Sequence, residues 1–443
     1  MNGSVEIASR LRSVAMEHQS PDRMEYSHRV IDADLDALFG QLPAILLDGP
    51  KGVGKTATAQ RRCVTERRLD NETQRLLVEA DPSIFATDPK PLLIDEWHRV
   101  PTAWDAIRRL VDADPSGGQF LLTGSAPARS SHSGAGRIAS LRMRPMCLEE
   151  RQLCPTTVSF DALRSGTSTS ISGRSSVTLA DYTRELVAGG FPGMRRLDGR
   201  ALQTQMTSYI NRIVDHDLAE AGYRVRRPAA VRGWLRAYAA ATATTATWET
   251  IRDAATGGVA NKPAKTTTAA YTELLTELRI LDPIEAWAPT NNHLVRLTGA
   301  PKHHLADPAL AARLLQRTER HLLTGDNGTA TIPRDGTLLG NLFESLVALS
   351  IRTYAQSVDG YVYHLRTEAG RNEVDFIVEV DGGVLAFEAK LNAAVTDADV
   401  RHLIWLRDRI GDDLIDAAVI TAGPDAYRRT DGIAVIPLAL LGR

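Results

Sequence analysis

The stretch Ala44-Ile45-Leu46-Leu47-Asp48-Gly49-Pro50-Lys51-Gly52-Val53-Gly54-Lys55-Thr56 decides the fold. Its first five residues form an apolar run short enough for a buried strand. The next eight fit the pattern G-x-x-x-x-G-K-[ST], and the segment TATAQRRCVTERRL that follows reads as a helix. A strand, a glycine-rich turn and a helix N-terminus in this order make a phosphate-binding loop. The glycines let backbone N–H groups close on oxygen anions, and the helix end adds partial positive charge. Lys55 supplies a full positive charge for β- and γ-phosphates, and the Thr56 hydroxyl is a ligand for Mg²⁺. The residues expected to contact ATP are Gly49, Pro50, Lys51, Gly52, Val53, Gly54, Lys55, Thr56 and Ala57.

Moving outward, Pro91-Leu92-Leu93-Ile94-Asp95 is a second apolar strand, and Glu96 follows it. Asp95 is placed to hold Mg²⁺ through water, and Glu96 to polarise the attacking water, a role worth roughly 10²–10⁴ in rate. A helix with apolar positions Trp104, Ile107, Leu110 and Val111 leads to a third strand, Gln119–Thr123. Thr123 or Ser125 at its end is the expected water-orienting or γ-phosphate-sensing group. Strands alternating with helices predict an α/β fold with a parallel sheet covered on both faces.

Residues 128–140 are small and polar and read as a mobile loop, and 164–178 read as a Ser/Thr-rich linker. From about 179 to 320 the pattern is mostly helical. Three helices, at 228–241, 248–255 and 266–278, are followed by a hairpin of Ile280-Leu281 with Leu294–Leu297, which is a winged-helix outline. After a break at 324–337 come a helix at 339–355, strands at 360–365, 373–379 and 383–389, a helix near 397–410, and strands at 417–421 and 432–436. The expected organisation is therefore an α/β ATPase domain at 1–150, a helical winged-helix-like region at 151–330 and a second α/β domain at 331–443.

GPKGVGKT, LLIDEWHRVP, FLLTGSA and the later GR…RPMCLEE resemble the prokaryotic AAA-type P-loop ATPases that carry a C-terminal domain of unknown function. The resemblance continues through GGFPG (189–193), YINRIVDHDLA (209–219) and TAAYTELLTELRIL into the C-terminal region, covering most of residues 40–440. It implies an arginine finger after the third strand, acting in cis or from a neighbouring subunit of a homo-oligomer. Arg137 matches best, followed by Arg142 and Arg144.

In the last domain, Asp375 lies inside an otherwise apolar strand, and thirteen residues on the strand Val384–Phe387 ends in Glu388-Ala389-Lys390. Strand alternation puts Glu388 and Lys390 on one face, where Asp375 of a paired strand can meet them. Two carboxylates suit Mg²⁺ or Mn²⁺, and a lysine can orient or deprotonate a water. The order resembles the PD-(D/E)XK restriction-endonuclease-like nucleases, with Asp375, Glu388 and Lys390 matching the motif, Val374 replacing its usual proline, and Glu344 matching by position. The resemblance implies metal-dependent nuclease chemistry at Asp375, Glu388 and Lys390. The alternative for this domain is a binding or scaffold role, which would make the chain a regulatory ATPase.

A formal net charge of -2 excludes a generally basic coat for nucleic acid, while a local patch stays open. Lys262, Lys265 and Thr266–Thr268 begin the expected recognition helix and are the candidate DNA contacts. His303-His304 and Asp215-His216-Asp217 lack partners at metal-ligand spacing and read as surface or structural. The three cysteines form no framework. The first twenty residues have no apolar core typical of a secretory signal, and no stretch is long enough to cross a membrane, so the expected location is cytoplasmic.

Overall fold

The computed structural model describes residues 26–124, 135–166, 170–223, 225–255, 263–288, 299–324, 326–327, 331–332, 335–367 and 370–443. Ser125, Lys262 and the expected wing strand Leu294–Leu297 lie outside them.

The N-terminal layer is a five-stranded parallel sheet. Its strands are β1 (Ala44–Asp48), β2 (Thr65–Arg68), β3 (Leu92–Asp95), β4 (Phe120–Gly124) and β5 (Ile138–Arg142), in the order β2-β3-β4-β1-β5. Helices α1 (Val30–Phe39), α2 (Lys55–Gln60), α3 (Glu72–Ala80) and α4 (Pro101–Ala113) accompany it. β3 and β4 are buried along their whole length because helices or the following regions cover both faces, so their sequences are continuous apolar runs. Leu92, Ile94, Phe120 and Leu122 pack with Trp97, Trp104, Ile107 and Val111. Ile45, Leu47, Leu93 and Leu121 face the opposite core, which runs on into the middle and C-terminal regions. The register aligns Asp48 with Gly124 and Arg142, and Asp95 with Thr123, so the chemical residues meet at one end of the sheet.

Two elements differ from expectation. β2 is the polar segment TERR at the sheet edge, half exposed, and so gives no apolar signal. The expected mobile loop at 128–140 ends inside β5, whose residues are only partly buried because β5 forms the other edge.

The middle region holds α5 (Leu179–Ala188) and α6 (Gly199–Arg212), with one π-helical segment, Ile213–Asp217, continuing α6. After it come α7 (Pro228–Ala240), α8 (Trp248–Ala254), α9 (Lys265–Glu277) and α10 (Pro308–Leu314). Leu281 and Ile284 bridge in antiparallel fashion to Leu305 and Lys302, so the strand-like partner of this segment is 302–305.

The C-terminal sheet has eight strands. They are β6 (Gly173–Arg174), β7 (Ala286–Trp287), β8 (Tyr361–Arg366), β9 (Glu373–Val380), β10 (Gly383–Lys390), β11 (Leu414–Thr421), β12 (Asp425–Arg428) and β13 (Ala434–Pro437), in the order β6-β12-β13-β11-β10-β9-β8-β7. β6 and β7 come from sequence well before residue 331, so this sheet draws on the stretch read as linker and middle region. Helix α11 (Gly336–Gln356) contributes Leu342, Phe343 and Leu346 to the core containing Phe376, Val378, Leu385 and Phe387. Helix α12 (Asp397–Ile410) places Val400, Leu403 and Leu406 against Ile377, Ala386 and Val419. Among the described residues no helix is long and apolar enough to cross a membrane.

Candidate functional site

The loop between β1 and α2 is shaped by two glycines. A Cβ on Gly49 would sit 2.1 Å from the Met143 carbonyl oxygen, so the chain leaving β5 passes too close for any side chain. Gly54 caps α2 at φ +100, a conformation L side chains rarely adopt. Arg29, buried just before α1, braces the loop from behind. It donates to the carbonyls of Val53 (2.7 Å) and Arg144 (2.7 Å) and pairs with Glu150 at 3.1 Å.

Lys55 is 6% exposed and donates to the carbonyls of Gly49 (2.7 Å) and Pro50 (2.9 Å). Burial lowers its pKa to about 8 against the upward pull of Glu96, Asp48 and Asp95. Thr56 donates to Asp95 Oδ1 at 2.7 Å, and Thr123 donates to the same oxygen. Thr123 therefore positions Asp95 from the neighbouring strand. Glu96 turns the chain out of β3 in the left-handed region, φ 56 and ψ 42. Burial raises its pKa, with Lys55 pulling the other way. His98 lies 3.5 Å from Glu96, and burial together with the charges of Arg99, Lys51 and Lys55 lowers its pKa to about 4. Its imidazole is accordingly neutral near pH 7 and adds no charge beside Glu96.

These residues fit a Mg-nucleotide on structural grounds. A backbone cradle that one Cβ would fill, a buried ammonium aimed at carbonyls and a hydroxyl–carboxylate pair are what phosphates and a hard cation require. Thr56 and Asp95 would hold the ion, and Lys55 with the loop amides would hold the phosphates.

The middle region clasps the same loop, through residues whose role sequence reasoning missed. Lys51 pairs with Asp217 at 2.8 Å and with Glu220 at 2.7 Å, and Tyr209 donates to the Lys51 carbonyl at 3.0 Å. Phe191 packs against Tyr209, with ring centroids 4.9 Å apart, and faces Gly52. GGFPG and YINRIVDHDLA thus meet at the nucleotide loop. Asp217 joins it from the π-helical segment, whereas Asp215 turns away to Arg232 at 2.6 Å. From the other side Arg279 pairs with Asp48 at 2.6 Å, directly before the loop.

The expected arginine finger is corrected only for action within its own chain. Arg137 precedes Ile138, which lies level with Ala44 at the opposite end of the sheet from the loop, and it pairs with Asp112 at 2.7 Å. It cannot reach nucleotide in its own chain. Arg142 and Arg144 are at the right end but are held by Asp282, each at 3.1 Å, together with Arg352 at 2.9 Å. Three arginines around one buried carboxylate join β5, the middle region and α11, and they hold the Asp282 carboxyl below its ordinary range despite its burial.

The C-terminal carboxylates do converge, but on a lysine not foreseen from sequence. Lys302, 1% exposed, donates to Glu344 Oε1 at 2.9 Å and Asp375 Oδ1 at 2.9 Å, and lies 3.5 Å from Glu373. Asp375 Oδ2 accepts from the Ala389 N–H at 3.0 Å, and Glu388 Oε1 accepts from Lys390 at 2.7 Å. Burial raises Glu344 to about 8 and Glu388 to about 8, each helped by Asp375. Burial also pulls Asp375 upward, but Lys302 and Lys390 overcome it and hold the group below its usual range. Asp375 and Glu388, expected as metal ligands, have their oxygens committed to ammonium and amide donors, apart from the buried Glu388 Oε2. Among the described residues no group of three or more His, Cys, Asp or Glu side chains is arranged to hold a metal ion. As arranged, the cluster does not fit a divalent cation.

His303 and His304 are structural, bonded to the Ala246 carbonyl at 2.7 Å and the Ser345 hydroxyl at 3.2 Å. Lys265, an expected DNA contact, is paired with Glu249.

With this geometry in view, residues 41–152 match the family model of an AAA domain. The chain carries an AAA-type P-loop ATPase domain. Residues 179–321 and 339–441 match two domains of unknown function, DUF8612 and DUF4143. Over 420 residues the chain is 25% identical to uncharacterized proteins of Mycobacterium tuberculosis and Mycobacterium bovis, covering 91% of this chain and 82% of theirs. Among solved structures it is similar to a Walker-type ATPase of Pyrococcus abyssi, at 16% identity and TM-score 0.39, over 66% of this chain and 97% of that one. It is also similar to the ORC2 protein of Aeropyrum pernix in its ADPNP–ADP complexes, at 16% identity and TM-score 0.29, over 67% and 95%.

Proposed function

We propose that this chain hydrolyses ATP and uses the nucleotide cycle to reset the regions that follow its ATPase domain. The observation that carries the reading is the double attachment of the phosphate loop, through Lys51 to Asp217 and Glu220 and through Asp48 to Arg279. A loop that must accommodate phosphates is here bonded directly to the middle region at two points. In turnover, Glu96 orients and polarises the attacking water, with the neutral His98 beside it. Lys55 and the loop amides bear the charge developing on the phosphate oxygens. Thr56 and Asp95, which Thr123 positions, would hold Mg²⁺, which would supply charge neutralisation there when bound.

A nucleic acid is the partner class supported by the nuclease-like order of Asp375, Glu388 and Lys390. A second reading, in which the C-terminal region is an interaction module without cleavage chemistry, is favoured by Lys302 among those carboxylates. The test of the shared core is ATP turnover by wild type against Lys55→Ala, with a thermal melt of each. Turnover should be lost while the melt holds. Lys55→Ala hydrolysing ATP at the wild-type rate would sink the assignment.

A further inference from the structure

We infer that Lys302 is a built-in counter-ion that takes the place of a divalent metal in the Glu344–Asp375–Glu388 cluster, making the C-terminal domain a lysine-sealed, non-cleaving relative of the metal nucleases its sequence order resembles. This goes beyond the ATPase reading, which holds whether or not the seal exists.

Three observations build the case. First, the Lys302 ammonium binds one oxygen of Glu344 and one of Asp375, at 2.9 Å and 2.9 Å, while Glu388 is held by Lys390 at 2.7 Å. Second, the lysine is fixed from its backbone outward. Lys302 N–H donates to the Ile284 carbonyl at 2.8 Å, and Ile284 N–H returns a bond to the Lys302 carbonyl at 2.9 Å. The stem is buried, so the ammonium cannot swing into solvent while this pairing holds. Third, cations already stand against these carboxyls without a metal: Lys302 pairs with Glu344 and Asp375 and lies 3.5 Å from Glu373, and Lys390 pairs with Glu388. A divalent ion entering here would face a fixed ammonium in a poorly screened interior, and buried like charges repel strongly.

The seal also joins regions. Lys302 precedes α10 of the middle region, while Glu344 lies on α11 and Asp375 on β9 of the C-terminal sheet. The same ammonium that removes the metal site therefore tethers the middle region to the nuclease-like face.

The experiment measures Mn²⁺ binding to the full-length, nucleotide-free protein by electron paramagnetic resonance, for wild type, Asp375→Asn, Lys302→Met and Lys302→Met/Asp375→Asn. DNA cleavage in Mn²⁺ and ATP turnover are followed on the same samples. Wild type and Asp375→Asn should bind equal amounts of Mn²⁺ and leave plasmid DNA intact. Lys302→Met should gain one Mn²⁺ per chain, and the double variant should lose it. Wild type binding one more Mn²⁺ than Asp375→Asn, or cutting DNA in a way that Asp375→Asn abolishes, overturns the proposal. That comparison stands even if Lys302→Met does not fold. A folded Lys302→Met that gains no Mn²⁺ also counts against it. Loss of ATP turnover in wild type would instead indict the ATPase reading.

Discussion

Two buried lysines in this molecule answer to opposite surroundings. Lys55 donates to two neutral carbonyls, and its pKa is lowered by burial to about 8. Lys302 is as deeply buried but donates to two carboxylates, which lift its pKa well above the ordinary lysine value in spite of that burial. At Lys55 desolvation outweighs the pull of Glu96, Asp48 and Asp95, so this ammonium gains by meeting an anion. One that already has its carboxylates is satisfied and resists replacement. The difference separates a site built to receive a ligand from one that the chain has filled itself.

The largest effect expected on the ligand-receiving side is at Glu96. Glu96→Gln keeps the shape and removes the carboxylate, so turnover should fall by roughly 10²–10⁴ while ATP still binds. Nucleotide affinity lost in parallel with turnover would instead make Glu96 a structural residue holding the left-handed turn after β3.

On the self-filled side, Lys302→Met should destabilise the protein by about 3–5 kcal/mol, because it strands two buried carboxylates. The pH dependence has a definite sign. Without Lys302, the folded-state pKa of Asp375 rises above its unfolded value, and that of Glu344, already raised by burial, rises further. Stability is then full below the unfolded carboxyl range and is lost as pH rises through the folded values. The deficit relative to wild type should be small near pH 4 and large near pH 8. A deficit constant across that range would mean that Lys302 acts by packing alone.

The two sites were not equally legible in the sequence. The nucleotide loop is a contiguous motif whose chemistry is local, and Asp95-Glu96 ends the next apolar strand, so the ATP side could be read directly. Asp375, Glu388 and Lys390 were also visible, because strand alternation places them. Lys302 was not, since it comes from a different segment, 73 residues before Asp375, and no local pattern marks a lysine that will pair with a carboxylate so distant in sequence. Arg137 misled for a related reason. Without knowing that β5 starts at Ile138 and runs parallel to β1, one cannot tell which end of the sheet the arginine occupies. Asp217 and Glu220 look like ordinary helix surface until the π-helical segment brings them to Lys51.

The clasp around Lys51 offers a gentler test of the comparison. Lys51 is partly exposed, so its pairs with Asp217 and Glu220 are worth about 0–1 kcal/mol each. If ATP must break them to recruit Lys51, then Asp217→Asn should tighten ATP binding by about two- to fivefold. Weaker binding would show that the clasp pre-forms the loop. An unchanged Kd would leave Lys51 attached to the middle region throughout the cycle.

The smallest expected signal bears most directly on Lys55. Its pKa of about 8 means that at pH 8.5 a substantial fraction of the nucleotide-free protein carries a neutral amine there. Phosphate oxygens brought against that nitrogen favour the charged form and raise its pKa. ATP binding should therefore take up a fraction of a proton per site, with the uptake growing from pH 7 to pH 8.5. Titration calorimetry in two buffers of different ionisation enthalpy reads that fraction from the difference in apparent heat. Uptake that is flat, or that falls, between pH 7 and 8.5 would mean that Lys55 is already fully charged before ATP arrives. In that case the contrast with Lys302 would rest on partners alone and not on protonation.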